Sequence, residues 1–346
     1  MQITKKERES NIELLRIVSI CGVIILHYNN RLYGNALSLV PQGSLNEWVL
    51  YVLEAVFIAS VNLFILISGF FSIKSDRRDL IKPLGLVLQV IICSELIYLV
   101  NIMLGKDVLT IKSVIEHLIP ANYFVMQYAA LYIISPLINK ALSTYTDKRQ
   151  LERISIVLIL LLSVEPTIVD ALQNIFHVKF MGLSVVGAYG SQEGYSLINF
   201  ILMYFLGAII NLLEIKVSLR KAVILLTINT AVITVWSRYD DMTALEYCNP
   251  FVIAEAVLLF SVFANFKIKS GIINSLSKGC FMCFLIHMSF LPYLNVENAV
   301  NSNVLVMLSH ILISCIVLFL IGYICNQVYS FIINPILRPL EGKFII

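Results

Sequence analysis

The chain has 346 residues, of which 59% are apolar and only 14% are charged. Soluble domains average about 45–50% apolar and about 25% charged residues, and a soluble fold of this length could not hide so much apolar surface from water. The 25 basic and 22 acidic residues leave a net charge of +3 and form no long basic tract, which argues against a nucleic-acid-binding protein. The composition therefore predicts a polytopic membrane protein.

Ten stretches are long and apolar enough to cross a bilayer, for which about 20 mostly apolar residues suffice. In chain order, the predicted spans cover residues 12–28, 48–71, 80–104, 121–139, 154–170, 196–213, 221–237, 250–266, 277–294 and 304–326. Glu165 and Pro166 interrupt the fifth span, and the ninth contains His287 and Pro292. No small-residue cleavage site follows the first apolar run, so we expect a retained first helix rather than a signal peptide. The predicted fold is an all-α membrane bundle.

The distribution of Lys and Arg orients these spans. With the N-terminus inside, the inner segments begin with Lys5, Lys6 and Arg8 and hold most of the 25 basic residues. The basic residues that fall outside are Arg31, Lys106, Lys112, Lys179 and Arg238. This asymmetry follows the positive-inside rule, and one helix more or fewer would break the alternation. We expect both termini in the cytoplasm and one membrane-embedded domain, residues 1–346, without an appended soluble domain.

The longest outer connection is predicted over residues 171–195 and contains the polar, glycine-rich stretch 187–194. Such a stretch is unsuited to a regular helix, and long loops are often functional or mobile. Two interpretations stay open, a plain surface loop and a contact with an extracytoplasmic substrate.

The seven cysteines suggest neither a disulfide frame nor a metal site. Five of them lie inside apolar stretches and are predicted to pack as small buried side chains: Cys21, Cys93, Cys280, Cys283 and Cys315. Cys280 and Cys283 have C-x-x-C spacing, but no second Cys or His pair follows at zinc-site spacing. We therefore expect no metal.

The first span carries two ionisable residues, Arg16 and His27, separated by ten residues. Eleven helical steps make about 1,100°, which is about 20° from three full turns, and they span about 16 Å. Both side chains are therefore predicted on one face. A neutral imidazole can take a proton from a hydroxyl, and a guanidinium can hold a phosphate. The alternative is an Arg that snorkels at the inner boundary and a His at the outer interface.

Several further segments accompany this pair. The chain resembles the acyltransferase-3 family of membrane acyltransferases over essentially its whole length. The segments that carry the resemblance are residues 11–16, the run that ends in His27, and residues 62–70, 123–128, 131–136 and 284–287. The resemblance implies transfer of an acyl group, usually acetyl from acetyl-CoA, to a hydroxyl of an extracytoplasmic glycan. Arg16 and His27 match the family's motif of Arg, ten residues and His, in which the His is the catalytic candidate. Ser68 and Gly69 within this pattern predict close helix packing.

The resemblance also implies an Arg-Arg-x-x-Arg motif that holds CoA after the second helix. Arg77 and Arg78 match it, but Ile81 stands where the third Arg would be, and Lys82 comes one place late. CoA is cytosolic and carries phosphates, so we expect its site to be basic and on the inner face. The predicted topology places Arg16 on that side with these cations. The alternative is that the cations only orient the spans.

Other polar residues at membrane depth are weaker candidates. Glu13, three residues before Arg16, predicts an ion pair along the helix. Four carboxylates map to the outer halves of their spans, and one of them could orient His27: Glu54, Glu95, Glu165 and Glu255. Each of them alone is more often a buried, hydrogen-bonded group.

Four residues are predicted to contact the acceptor substrate: Glu54, Glu95, Tyr128 and His287. His287 matches the family's penultimate-helix signature. Tyr128 belongs to an aromatic helix face that predicts either packing or a wall on which a sugar stacks.

We interpret the chain as an O-acyltransferase of the bacterial plasma membrane. It takes acetyl-CoA, or another short acyl-CoA, from the cytosol and modifies a surface or capsular polysaccharide or its lipid-linked precursor. His27 is the general base, and a transient acyl-His is the alternative.

Two rival functions are compatible with some of the same residues. A transporter or flippase for lipid-linked sugars would use buried Glu and His residues as a proton relay, and predicts matching helix breaks in two halves. Pro166 and Pro292 do not map onto two equivalent halves. A catalytically inactive sensor of the same fold predicts a disrupted pair in the first span, where Arg16 and His27 are intact.

Overall fold

The computed structural model describes residues 8–346, and these residues form helices and connections without a β-strand. In chain order the helices are α1 (Ser10–Asn29), α2 (Ala36–Leu39), α3 (Leu45–Phe57), α4 (Ser60–Ser72), α5 (Ile81–Met103), α6 (Ile111–Leu118), α7 (Tyr123–Ser143), α8 (Lys148–Ile159), α9 (Glu165–Phe176), α10 (Leu197–Leu212), α11 (Leu219–Ser237), α12 (Asp241–Ala244), α13 (Pro250–Ala264), α14 (Gly271–Leu276), α15 (Cys280–Phe290), α16 (Val296–Val300) and α17 (Val304–Leu337). A π-helical stretch, Leu160–Val164, joins α8 to α9. Short 3-10 turns cover Gln192–Gly194, Ser277–Gly279, Leu291–Tyr293 and Arg338–Leu340. Lys5 and Lys6, which the charge pattern places inside, lie outside the described residues.

Eight helical segments of the described chain are long and apolar enough to cross a membrane: Ser10–Asn29, Leu45–Ser72, Ile81–Met103, Ile111–Ser143, Lys148–Phe176, Leu219–Ser237, Gly271–Tyr293 and Val304–Leu340. The other two predicted spans are also apolar helices, but shorter, at Leu197–Leu212 and Pro250–Ala264. The all-α, multi-pass membrane fold is thereby confirmed. The count of ten crossings and the cytoplasmic termini stay predictions.

The fifth predicted span is continuous where the sequence predicted an interruption. Pro166 cannot donate a backbone hydrogen bond, and a proline ring crowds the carbonyl four residues earlier. The chain widens into the π-helical stretch Leu160–Val164 just before it, where the Glu165 N–H donates to the Leu160 carbonyl. The wider turn absorbs the proline, and the helix continues to Phe176.

Many helices begin at a polar side chain that accepts a hydrogen bond from the first turn. These N-caps are Ser44, Thr110, Asn122, Asp147, Ser196, Asp240, Asn249 and Ser270. At α3 the cap is reciprocal: Ser44 Oγ accepts from the Glu47 N–H at 3.2 Å, and the Glu47 carboxylate accepts from the Gly43 N–H at 2.7 Å. Polar residues in the connections thus determine where the apolar helices start.

The chain divides into two compact units. Unit 1 comprises the described residues up to Ile67 together with Ile215–Gln327, and unit 2 comprises Ser68–Glu214 and Val328–Ile346.

In unit 1, α1 packs against α3, α13 and α15, and α11 packs against α3 and α13. Buried apolar side chains of α1, α15 and α17 form one core cluster, with Ile24 and Leu318 among its members. Gly22 permits the close approach of α3, since a Cβ there would lie 2.5 Å from the Phe57 ring. The helix that carries Arg16 and His27 is therefore central to this unit.

In unit 2, α7 packs against α5 and α10, and α10 also packs against α8. Gly69 of α4 meets the backbone of Tyr204 of α10 so closely that a Cβ at position 69 would overlap the Tyr204 carbonyl oxygen. The prediction of close helix packing at Ser68 and Gly69 is thus confirmed.

Backbone hydrogen bonds also hold the segment that contains Arg78. Arg78 and Ile346 exchange two backbone hydrogen bonds of 2.9 Å, and the Leu80 N–H donates to the Phe344 carbonyl at 2.9 Å. The Asp79 carboxylate accepts from the Gly342 N–H at 2.7 Å. The backbone at residues 78–80 is therefore fixed within unit 2.

Candidate active site

The candidate site in unit 1 is built on α1, which runs without a break from Ser10 to Asn29. Arg16 lies in its N-terminal half and His27 in its last turn. At 1.5 Å and about 100° per residue, the two side chains leave one face of the helix about 16 Å apart.

His27 contacts a second histidine. Its Nδ1 lies 2.9 Å from the Val23 carbonyl oxygen and 3.2 Å from Nε2 of His287 on α15. The Nδ1 of His287 lies 2.8 Å from the Phe284 carbonyl oxygen and 3.1 Å from that of Cys283. Carbonyl oxygens only accept hydrogen bonds, so each ring carries its proton on Nδ1. The single Nδ1 proton of His27 is therefore shared between two acceptors, the Val23 carbonyl at 2.9 Å and His287 Nε2 at 3.2 Å.

This arrangement leaves the lone pair of His27 Nε2 free. No described residue hydrogen-bonds to that nitrogen, and the His27 ring is partly exposed while His287 is fully buried. The ring of Tyr33 lies edge-on to the ring of His27, with 5.2 Å between the two ring centroids. His27 is thus a partly exposed residue whose unprotonated nitrogen has no partner among the described residues, as a general base requires.

Two close glycine contacts in unit 1 hold α15 beside α17. A Cβ at Gly322 would lie 2.5 Å from the Cys283 Cα, and a Cβ at Gly279 would lie 2.8 Å from the Tyr323 Cα. Because the obstructing atoms are backbone, neither neighbour could give way without moving a helix. This packing determines where His287 sits.

We expect Gly322→Ala to destabilise the protein by about 1–3 kcal/mol, because the added methyl group must separate α15 from α17. The measurement is the thermal unfolding midpoint of the protein in detergent. Gly271→Ala is the matched control, since nothing lies within 4 Å of the Cβ position there. Equal midpoints for the two variants would contradict the close-contact interpretation.

Arg16 forms the predicted ion pair along α1. Its guanidinium lies 2.7 Å from the Glu13 carboxylate, which also lies 3.6 Å from Arg8. Glu13 is buried, whereas Arg16 is partly exposed. The start of α1 lies beside the segment that precedes α15, where Ser10 Oγ donates to the Ser270 carbonyl at 3.4 Å and accepts from the Ser270 N–H at 2.9 Å. Since His27 meets His287 further along both helices, α1 and α15 run parallel, as the predicted topology requires of the first and ninth spans.

The buried carboxylates of unit 1 do not reach His27. Glu255 accepts hydrogen bonds from Asn229 at 2.6 Å and Thr230 at 2.5 Å. Glu54 lies beside Asn29, and its Oε2 has no hydrogen-bond partner among the described residues. The groups that meet His27 Nδ1 are the Val23 carbonyl and the ring of His287, which the sequence assigned to substrate contact. No sequence signal reveals this pairing, because it depends on how α1 and α15 are aligned.

Arg78 is buried inside unit 2, with only 4% of its surface exposed. Its Nε donates to Ser135 Oγ at 2.8 Å, and a terminal nitrogen donates to the Tyr204 hydroxyl at 3.2 Å. Its remaining donors meet backbone carbonyls in residues 72–77, and the guanidinium lies 5.3 Å from the centre of the Tyr132 ring. Arg77 and Lys82 are exposed. Of these three residues, Arg77 and Lys82 therefore keep their cationic groups free for a ligand.

Ser135 links Arg78 to a proline inside α7. Pro136 lacks an N–H, so the carbonyl four residues earlier, that of Tyr132, loses its helical donor. The Ser135 hydroxyl donates to this carbonyl at 2.8 Å while it accepts from Arg78. The segment 131–136 therefore has a structural explanation in this unit.

We expect Arg78→Lys to lower the stability of the protein by about 1–3 kcal/mol, because lysine cannot replace the guanidinium fork and leaves buried acceptors unpaired. Arg77→Lys, the same change at an exposed neighbour, should leave the thermal unfolding midpoint unaltered. If Arg78→Lys is as stable as Arg77→Lys, the guanidinium network does not support the fold.

The remaining predicted residues of unit 2 lie in several places. Tyr128 shares a hydrogen bond of 3.3 Å with Ser68 and stacks on Phe124 with centroids 5.9 Å apart. Glu95 Oε1 is buried without a hydrogen-bond partner in the described chain. Glu165 accepts hydrogen bonds from Ser184 Oγ and the Val185 N–H, at 3.2 and 3.3 Å.

The glycine-rich connection is tied to α9. Asp170 accepts from the Ser191 N–H at 2.8 Å, and Gln173 pairs with the Tyr189 carbonyl and the Phe180 N–H at 3.0 and 2.9 Å. Gly190 has a φ of 116° and lies against Asp170, where no Cβ would fit. The connection is an ordered loop packed on its own helix.

Comparison with known proteins gives one match. The family model described as an acyltransferase domain, of the acyltransferase-3 type, matches residues 9–327. No curated protein and no solved structure matches the chain.

Proposed function

The chain belongs to the acyltransferase-3 family and is a multi-pass membrane acyltransferase, and from this premise we propose its donor, its acceptor and its base. The donor is acetyl-CoA or another short acyl-CoA from the cytosol. The acceptor is a hydroxyl of a surface or capsular polysaccharide, or of its lipid-linked precursor, at the plasma membrane of a bacterium. Family membership favours this enzyme over a flippase for lipid-linked sugars.

His27 Nε2 acts as the general base. It takes the proton of the acceptor hydroxyl as that oxygen attacks the thioester carbonyl carbon. The C–S bond then breaks, and the departing CoA thiolate receives the proton from Nε2, so the products are the ester and free CoA. A positioned base typically contributes about 10²–10⁴-fold to such a reaction. The supporting observation is the Nε2 lone pair, which has no hydrogen-bond partner in the described chain.

His287 supports this step as a positioning residue. Together with the Val23 carbonyl it accepts the Nδ1–H of His27, at 3.2 Å, and the two acceptors keep the His27 proton away from Nε2. When Nε2 takes the substrate proton, His27 becomes a cation and the same hydrogen bond becomes charge-assisted, hence stronger. His287 thus stabilises the state in which His27 holds the proton.

The donor is proposed to bind through exposed or partly exposed cations. Arg16 keeps guanidinium nitrogens beyond the one that meets Glu13, and Arg77 and Lys82 are exposed. Each could bind a phosphate of CoA. Arg78 contributes by holding the segment that carries its neighbour Arg77, rather than by binding phosphate itself.

The acceptor is proposed to use hydrogen bonds from its hydroxyls. Glu54 Oε2 and Glu95 Oε1 lack donors in the described chain, and a sugar hydroxyl would supply one. Tyr128 is the aromatic candidate for contact with a sugar ring.

The proposal is tested by incubating the purified, reconstituted protein with acetyl-CoA labelled in the acetyl group and with cell-surface glycan. We expect release of free CoA and label in base-labile ester on the glycan. Movement of sugar-linked lipid across the vesicle membrane without consumption of acetyl-CoA would favour the transporter and refute the enzyme.

A further inference from the structure

The connection between α5 and α7 contains a helix with two different faces. Along α6, Ile111, Ile115 and Leu118 are 83%, 56% and 50% exposed. Their spacing of four and three residues aligns them in one stripe. Lys112 and Glu116 form an ion pair of 3.7 Å on an adjacent face. The helix is therefore amphipathic, and its apolar stripe is uncovered.

Tyr98 of α5 holds the polar side of α6, and the residues just before α6, against the rest of unit 2. The Tyr98 hydroxyl donates to the Val108 carbonyl at 2.9 Å and accepts from the Thr110 N–H at 3.2 Å. The ring of His117 stacks on the Tyr98 ring with centroids 4.4 Å apart and planes at 16°. Tyr98 itself is fully buried. These contacts orient α6 with its apolar stripe facing away from unit 2.

The position of α6 in the chain identifies what covers the stripe. α5 and α7 have 23 and 21 residues, each long enough to cross a bilayer alone, so α6 lies beyond their ends at the membrane surface. The stripe continues into other exposed apolar side chains of the same connection: Met103, Leu104, Val108, Leu109 and Ile119. This patch joins the apolar outer surface of α5, where Leu96, Leu99 and Val100 are exposed.

We propose that α6 is an interfacial membrane helix. Ile111, Ile115 and Leu118 insert among the acyl chains next to the lipid headgroups, and Lys112 and Glu116 stay in the headgroup layer. Such helices bury their apolar face about 5–10 Å into this boundary. Tyr98 holds α6 in that orientation.

Fluorescence quenching by lipid tests the proposal in the full chain. The natural tryptophans, Trp48 and Trp236, are replaced by Phe, and one new Trp is placed by Ile115→Trp or, as the matched control, Glu116→Trp. Both proteins are reconstituted in phosphatidylcholine vesicles whose acyl chains are brominated near the headgroup. We expect the fluorescence of Ile115→Trp to be quenched at least about twofold more than that of the control.

Equal quenching of the two variants would overturn the proposal. So would blue-shifted but unquenched emission from Ile115→Trp, because a protein surface, such as a second copy of the chain, would then cover the stripe. Adding Tyr98→Phe removes both hydroxyl hydrogen bonds, and we expect the difference between the two positions to shrink. An unchanged difference would refute the role of Tyr98 in orienting α6.

Discussion

Replacement of His27 by alanine is expected to reduce acyl transfer by about 10²–10⁴-fold, because the reaction loses the nitrogen that accepts the hydroxyl proton. His27→Gln is the more searching variant. Its side-chain amide can still donate a hydrogen bond to His287 Nε2, but an amide cannot act as a base at neutral pH. Both variants should therefore be folded, and both should be inactive.

The measurement is the initial rate of label transfer from acetyl-CoA, normalised to the amount of monodisperse protein in detergent. His177→Asn serves as the control, because His177 is exposed and asparagine tolerates its left-handed backbone, with φ at 53°. Wild-type rates in His27→Gln would end the assignment of His27 as base. A loss of activity in His177→Asn would show that the assay reports on something other than this site.

The second large effect is expected at His287. His287→Leu removes one of the two acceptors of the His27 Nδ1–H and leaves the Val23 carbonyl as the other. The lost hydrogen bond is one that becomes charged during the reaction. Hydrogen bonds to charged groups are worth about 1.5–3 kcal/mol, so kcat should fall about 10- to 100-fold. KM for acetyl-CoA should stay constant, because His287 is fully buried and touches no solvent.

His287→Gln should recover part of the lost kcat, since its amide oxygen can accept the same hydrogen bond. The chain has only 5 histidines, so a ¹⁵N-histidine NMR spectrum can follow His27 directly. We expect the Nδ1–H signature in the wild type and a shift of that signal in His287→Leu, where the Val23 carbonyl is the acceptor that remains. If His287→Leu raises KM for the glycan and leaves kcat unaltered, His287 is a substrate contact, as the sequence had suggested, and not a positioning residue.

The sequence predicted the features that depend on one helix at a time. Helical periodicity alone places Arg16 and His27 on one face of α1, and the i, i+3 spacing predicts the Glu13–Arg16 pair, which the structure confirms. The spans likewise follow from local runs of apolar residues. Each of these inferences uses only the geometry of a regular helix.

The features that the sequence missed depend on contacts between helices. The His27–His287 hydrogen bond requires the alignment of α1 with α15, and the close contacts at Gly279 and Gly322 hold α15 beside α17. Arg78 belongs to a basic motif that suggests a ligand, yet Ser135 and Tyr204 enclose its guanidinium. The sequence motif treats Arg77 and Arg78 alike, so it cannot show that Arg78 is buried while Arg77 is exposed.

The π-helical stretch Leu160–Val164 changes how the faces of its span line up. A turn that takes in an additional residue leaves every later side chain about 100° behind the position that a uniform α-helix would give it. A helical wheel drawn through α8 and α9 as one uniform rod therefore misplaces Asp170 and Gln173, which hold the glycine-rich loop. A single-residue deletion within the stretch would restore an ordinary helix and leave both anchors on the face that meets the loop. The stretch thus acts as a spare residue in the span, which the helix can take in or lose without moving the loop that follows.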